Sequence, residues 1–283
     1  MQLIVQTKEM QRRSEQHRRE GMSIAFVPTM GYLHEGHLSL MREGRKRGDV
    51  LVISIFVNPT QFGPGEDYDS YPRDMKQDLA LVQSAGVDIV FTPSVAEIYP
   101  EGFQTSVEVE RVTQNLCGAS RPHHFQGVTT VVAKLFNIVK PHRAFFGQKD
   151  YQQLITIKRM VKDLNMDIEV IGMPTTREHD GLAMSSRNSY LNPKKRKEAL
   201  CLYRSLLKAE EIFSQGERNA STILQEIRRI IEEQGNSATI DYAKVCDAHT
   251  LEDIDEIKKE AVIALAVTIG KTRLIDNIIL KEE

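Results

Sequence analysis

Ser23-Ile24-Ala25-Phe26-Val27-Pro28-Thr29-Met30-Gly31-Tyr32-Leu33-His34-Glu35-Gly36-His37 reads as a strand, a glycine-bearing turn and the first turn of a helix. Residues 23–27 are a short apolar run closed by Pro28, and a helix is expected from His34 or Glu35 to about Arg47, just before Gly48. Gly31 and Gly36 leave room for a ligand to approach the backbone. A helix start offers unpaired N–H groups and the positive end of the helix dipole, so this junction suits a phosphate.

The same rhythm continues on both sides. Residues 7–20 read as a helix capped by Thr7 and stopped at Gly21, and residues 49–57 as a β-branched strand buried on both faces. Helices are expected at 72–85, 127–139 and 149–164, with strands at 87–91, 143–146 and 168–171. Such alternation implies a parallel sheet whose ligands sit beyond the carboxyl ends of the strands. Past residue 175 the pattern changes to helices at 193–214 and 219–234, then closely spaced strands at 240–245, 261–268 and 273–280. The expected fold is α/β: a Rossmann-like parallel sheet with helices on both faces, plus a smaller C-terminal α+β domain with a short antiparallel sheet. The boundary is placed near residue 175, giving domains 1–175 and 176–283.

Composition narrows the class of function. The chain has 283 residues, 41% hydrophobic and 27% charged, which is ordinary for a globular protein with a sizeable core. Lys plus Arg number 37 against 39 Asp plus Glu, so no basic footprint for nucleic acid is expected. The dense basic run Lys194-Lys195-Arg196-Lys197 reads as the solvated first turn of the helix after Pro193. Cys117, Cys201 and Cys246 are scattered, which fits a reducing compartment and argues against structural zinc. Residues 8–20 are too polar for a signal peptide, and 261–269 are too few for a membrane span. A cytoplasmic protein with no membrane or nucleic-acid partner is expected.

Three motifs carry chemistry. His34 and His37 lie three apart, so on a helix they share a face. Two imidazoles there can donate to phosphate oxygens as charge builds during displacement at an α-phosphorus. On this segment alone, a metal-binding pair and a merely decorative surface pair stay open, although the spacing differs from H-E-x-x-H. Gly147-Gln148-Lys149-Asp150 again follows a strand. Its lysine can offset phosphate charge and its aspartate can accept from ribose hydroxyls, unless the segment is an ordinary helix start. Met184-Ser185-Ser186-Arg187 offers two hydroxyls and a guanidinium for β- and γ-phosphates, unless it is a helix cap with a surface arginine. Gly181 could serve as the hinge of that loop.

In this order the three motifs resemble the nucleotidylyltransferase superfamily that shares H-x-G-H with class I aminoacyl-tRNA synthetases. Within it the chain is similar to the pantoate–β-alanine ligase (pantothenate synthetase) family over nearly its whole length. Phe26 through His37, Phe56-Val57-Asn58-Pro59-Thr60-Gln61-Phe62, Tyr71-Pro72-Arg73, His124-Phe125-Gln126-Gly127-Val128, Phe146 through Gln153 and Arg177 through Asn188 carry the resemblance. It implies that pantoate attacks the α-phosphorus of Mg-ATP to give pantoyl adenylate and pyrophosphate. The amine of β-alanine then attacks the acyl carbon, giving pantothenate and AMP.

By the same resemblance, Met30, Gly31, Tyr32, Leu33, His34, Glu35, Gly36 and His37 line the ATP site. His37 is the catalytic histidine, with His34 its companion on the phosphates. Gly147, Gln148, Lys149 and Asp150 hold ribose and phosphates, and Thr176 meets adenine through its backbone. Met184, Ser185, Ser186 and Arg187 close over the phosphates, Lys149 and Arg187 supplying catalytic charge. Gln61 and Gln153 bind pantoate, Gln61 also helps receive β-alanine, and Asn58 positions Gln61 or a phosphate. Mg2+ rides on the phosphate oxygens, with Asp78 a further candidate ligand. A homodimer is implied. Thr176 stands where relatives often carry valine, a change that spares a backbone contact.

Three rivals are weighed. An adenylyltransferase acting on a phosphorylated acceptor would be shorter and want more basic residues for that phosphate. A tRNA synthetase relative would want a basic surface and an anticodon domain. A nucleotide sensor that had lost catalysis would not need His34, His37, Lys149 and Arg187 together.

Overall fold

The computed structural model of the chain describes residues 1–282. Its first part runs β1 (Gln2–Ile4), α1 (Thr7–Arg19), β2 (Ile24–Thr29), α2 (Glu35–Arg47), β3 (Val50–Ile55), α3 (Met75–Ser84), β4 (Ile89–Phe91), α4 (Val95–Ile98), α5 (Leu116–Ser120), α6 (His124–Val139), β5 (Arg143–Gly147), α7 (Tyr151–Asp163) and β6 (Glu169–Met173). The six strands are all parallel, in the order β1-β4-β3-β2-β5-β6. From β2 the chain builds one way through β3 and β4 and the other way through β5 and β6. The order therefore reverses between β2 and β5, and this switch point is where the loops part to leave a crevice.

Side-chain alternation explains why helices cover both faces. Ile24 and Phe26 of β2, Val50 and Val52 of β3, and Ala144 and Phe146 of β5 point into one core with α1, α6 and α7. Ala25, Val27, Leu51, Ile53 and Phe145 point into the opposite core, under α2 and α3. All six residues of β3 are buried, as a central parallel strand demands.

The structure departs from the sequence reading in instructive places. Pro28 lies inside β2 instead of ending it. The β2–β5 ladder stops at Phe26, so no partner strand asks Pro28 for the N–H it lacks. Thr7 does not cap α1; its N–H and hydroxyl both donate to Glu97, at 2.9 and 3.0 Å. The helix expected from Pro72 begins at Met75, because the Asp74 carboxylate caps Gln77 N–H at 3.0 Å. The edge strand β1 is too short to register as a pattern and is recruited by pairing with β4. Residues 148–150 form one 3-10 turn before α7.

The chain divides into two compact units. The second consists of Arg111–Ser120, Lys149–Gln152 and everything from Thr175 to the C-terminal end. In it, α8 (Pro193–Ser214) and α9 (Ala220–Glu232) pack on one face of an antiparallel sheet of β7 (Ala238–Asp247), β8 (Glu260–Ile269) and β9 (Thr272–Lys281). The other face receives the two short inserted segments. Tyr151 donates to Ala248 O at 2.9 Å, and the Gln152 amide donates to Val112 O and Asn115 O at 2.9 and 2.7 Å. No helix among the described residues is long and apolar enough to cross a membrane.

Candidate active site

The turn beyond β2 is built by one threonine, one glycine and one buried aspartate. Thr29 Oγ1 donates to Ser54 O at 2.8 Å and accepts from Gly31 N–H at 3.2 Å. Gly31 has φ +82°, and a Cβ there would sit 2.9 Å from an Asp78 oxygen and 3.0 Å from Ile55. Glycine is thus required both for the dihedral and for the close approach. Asp78, 2% exposed on α3, accepts the N–H groups of Tyr32 at 2.9 Å and Leu33 at 2.7 Å. Burial pushes its carboxyl above the usual range, and those N–H bonds offset this only in part. Considered from sequence as a magnesium ligand, Asp78 has both oxygens committed to shaping the turn.

The turn delivers a reciprocal cap to α2. His34 is the N-cap, and its Nδ1 accepts Gly36 N–H at 3.2 Å, while His37 Nδ1 accepts His34 N–H at 3.2 Å. The ring centroids lie 4.1 Å apart. A nitrogen that accepts a hydrogen bond carries no proton, so both neutral rings must carry theirs on Nε2. Backbone geometry therefore makes each Nε2 a donor, at a helix start that already favours anions. Among the described residues no group of three or more His, Cys, Asp or Glu could hold a metal ion.

Beyond β3, Asn58 caps a 3-10 turn at Pro59–Gln61. Asn58 is 1% exposed and fully engaged: Oδ1 accepts from Tyr99 OH at 2.8 Å and Thr60 Oγ1 at 2.9 Å, and Nδ2 donates to Gly127 O and Gln61 Oε1 at 3.1 and 3.0 Å. This series of bonds fixes the orientation of the Gln61 amide. Its oxygen is taken by Asn58, so its NH2 faces the other way and contacts Met30 Sδ at 3.3 Å. The Gln61 carbonyl accepts from His124 Nδ1 at 2.8 Å and Arg121 at 3.3 Å, and Arg121 grips Glu66 at 2.7 and 2.6 Å. Burial pushes the Glu66 carboxyl up, but the Arg121 bonds and charge outweigh it and hold it at about 2. Gly127 lets α6 approach this turn, since a Cβ there would meet Thr60 O at 2.3 Å.

Gly147 ends β5 beside β2, so residues 30–37, Gln61, Gly147 and Gln148 gather at one end of the sheet. Of the two adjacent glutamines, Gln152 is buried and structural, while Gln153 is only partly buried.

In the second unit, Lys149 Nζ lies 3.7 Å from Asp150, and the Lys149 carbonyl accepts Asn277 Nδ2 at 2.8 Å. Residues 176–184 form a small hairpin in which Thr176 O accepts Met184 N–H at 3.0 Å. Ser185 then caps a 3-10 turn at Ser186–Tyr190, its hydroxyl accepting Arg187 N–H at 3.3 Å. The hairpin is tied down on several sides. Arg196 reaches Glu178 and Asp180, both at 2.8 Å, and Asn188 donates to Glu178 at 2.7 Å. Gly181, expected as a hinge, packs so closely on Tyr203 that a Cβ would lie 2.1 Å from its ring. Arg177, Asp276, Asn277, Arg121 and Glu66 were not singled out as site residues from sequence. Only Arg177 falls in a segment that carries the resemblance, and each works through a partner far away in the chain.

Fold and turn together define an α/β protein with a helix start that favours anions where the strand order of a parallel sheet reverses. The Pantoate-beta-alanine ligase family model matches residues 2–279, and the chain belongs to that family. It is 61% identical over 283 residues to pantothenate synthetase of Syntrophus aciditrophicus, covering 100% of this chain and 99% of that one. The crystal structure of pantothenate synthetase from Thermus thermophilus superposes with TM-score 0.92 at 46% identity, over 98% of this chain and 99% of that one. That of pantoate-beta-alanine ligase from Francisella tularensis, complexed with beta-gamma ATP and beta-alanine, gives 0.79 at 35% identity, over 98% and 97%. Family membership makes the chain a carbon–nitrogen ligase.

Proposed function

We propose that the chain condenses pantoate with β-alanine in two steps at the residues described above, with ATP as co-substrate. A pantoate carboxylate oxygen attacks the α-phosphorus and pyrophosphate leaves, giving pantoyl adenylate. The β-alanine amine then attacks the acyl carbon, loses a proton and displaces AMP, giving pantothenate. The single observation that carries this reading is the reciprocal cap, which turns His34 and His37 into Nε2 donors at a phosphate-favouring helix start. The ATP and β-alanine named in the Francisella complex support the same choice of substrates.

In this reading His37 and His34 donate to phosphate oxygens as charge develops. Met30 through His37, with Gly147, Gln148, Lys149 and Asp150, line the nucleotide, and Thr176 lies against the adenine. Met184, Ser185, Ser186 and Arg187 bind the phosphates, Lys149 and Arg187 as cations. Gln61 gives its NH2 to a pantoate oxygen, and Gln153 holds the other end of the acid. Residues 1–175 serve ATP and pantoate, and residues 176–283 bring the phosphate loop. Magnesium travels on phosphate oxygens, since the Asp78 carboxylate is committed to the turn. The chain works as a cytoplasmic homodimer.

Pyrophosphate release tests the reading. With ATP and pantoate alone, the folded protein should release pyrophosphate, and added β-alanine should sustain turnover. Silence with pantoate in folded protein overturns the assignment. His37→Ala should lower turnover by about 10² or more, far beyond the loss of about 1 kcal/mol in stability that removing its cap contact brings.

A further inference from the structure

Asp276 and Asn277 are neighbours on β9, 3% and 7% exposed. Consecutive strand residues point to opposite faces of a sheet. Asp276 points to the helix-covered face and holds Arg177 through both oxygens, at 2.6 and 3.0 Å. Arg177 in turn donates to Gly181 O at 3.2 Å and stacks on Tyr203 at 4.2 Å. It thereby anchors the hairpin that leads into Met184, Ser185, Ser186 and Arg187. Asn277 points to the other face and donates to the carbonyl of Lys149. The two residues are also bonded to each other, Asn277 N–H to Asp276 Oδ1 at 2.8 Å.

One dipeptide of one strand thus grips both phosphate-directed motifs of the second unit. A buried ion pair is a poor way to gain stability, because desolvation offsets the attraction and apolar residues of similar size do as well. A bidentate Arg–carboxylate pair does fix direction and distance. We propose that Asp276 and Asn277 are positioning residues for adenylation, setting Lys149 and residues 184–187 in register on one triphosphate. The proposal rests on the roles given to Lys149 and Arg187 under Proposed function.

The test is a pair of double-mutant cycles read by pantoate-dependent pyrophosphate release, with thermal midpoints alongside. Asn277→Ala should lower kcat by about tenfold or more, as expected when a reacting group is misplaced. In a Lys149→Ala background the same change should cost less than about twofold, because the residue it positions is gone. Asp276→Asn should behave likewise against Arg187→Ala. Asn277→Asp, of the same shape but lacking the donor, should repeat the loss should the alanine variant fold poorly. Full-sized losses in the already disabled backgrounds, or wild-type kcat in Asn277→Ala and Asn277→Asp, overturn the proposal while the parent reading stands. A wild-type chain that releases no pyrophosphate with pantoate overturns both.

Discussion

A histidine in the first turn of a helix can spend its ring on the backbone or on a ligand, and in the proposed function each ring does both. Nδ1 of His34 and of His37 completes the cap, which leaves Nε2 as the protonated nitrogen. Stability and chemistry should therefore separate by substitution. His34→Asn keeps a side-chain acceptor at the cap, whereas His34→Ala loses it at a cost of about 1 kcal/mol. Denaturant unfolding should place His34→Asn near wild type and His34→Ala below it, while both variants lose pyrophosphate release. The Gln61 amide is oriented by the same logic. Its oxygen is held by Asn58 Nδ2 at 3.0 Å, so the NH2 end is the one the proposed function gives to pantoate. Gln61→Glu replaces that donor by a charged oxygen facing a carboxylate substrate. The KM for pantoate should rise by about tenfold or more, and initial-rate kinetics measure it.

At the scale of elements, packing distances decide what the site can be. α6 lies so close to the 3-10 turn carrying Gln61 that a Cβ at Gly127 would fall 2.3 Å from Thr60 O and 2.7 Å from Gln61 N. Backbone cannot yield there without moving Gln61. Gly127→Ala should lower kcat/KM for pantoate by about tenfold or more, with a smaller effect on the KM for ATP. The segment just beyond Gln61 is fastened to the start of α6 by Glu66 and Arg121. Glu66 is held at about 2, below its ordinary 4.5. A depressed carboxyl stabilises the fold above its unfolded value and loses that contribution as pH falls toward its folded value. The stability gap between wild type and Glu66→Gln should thus be full near pH 7 and narrow as pH drops below about 4.5. Denaturant titrations at about pH 7, 5 and 4 read it; a gap that stays constant would show that the ion pair does not carry it.

For the whole molecule, the order of strands matters more than any single motif. The strand order reverses between β2 and β5, so the loops after these two parallel strands part at the same end. The turn at residues 30–37 and the segment at 147–148 belong to those loops, although more than a hundred residues separate them. Light scattering should give twice the mass of the chain if the homodimer forms, and the mass of one chain if it does not.

Most helices and strands were legible in the sequence because they rest on local chemistry. The strand at β3 shows as a β-branched run, α2 shows as a helix from His34 or Glu35 to the Gly48 stop, and the last two C-terminal strands lie too close in the chain to be parallel. Those patterns fixed the fold class, and the three motifs in their order carried the resemblance that implied the phosphate chemistry, since both depend on residues adjacent in the chain. Other features were settled only by tertiary structure. Pro28 can stay in a strand because its neighbour has stopped pairing. Asp78 shapes the turn from a helix 45 residues on. Asp276 and Asn277 hold Arg177 and Lys149 across 99 and 128 residues. A hydrogen bond between distant residues leaves no period or spacing to read. The sequence by itself supplied the groups proposed to meet phosphate, because they lie in short local motifs, and the tertiary structure decided how they are held, because their partners lie far away in the chain.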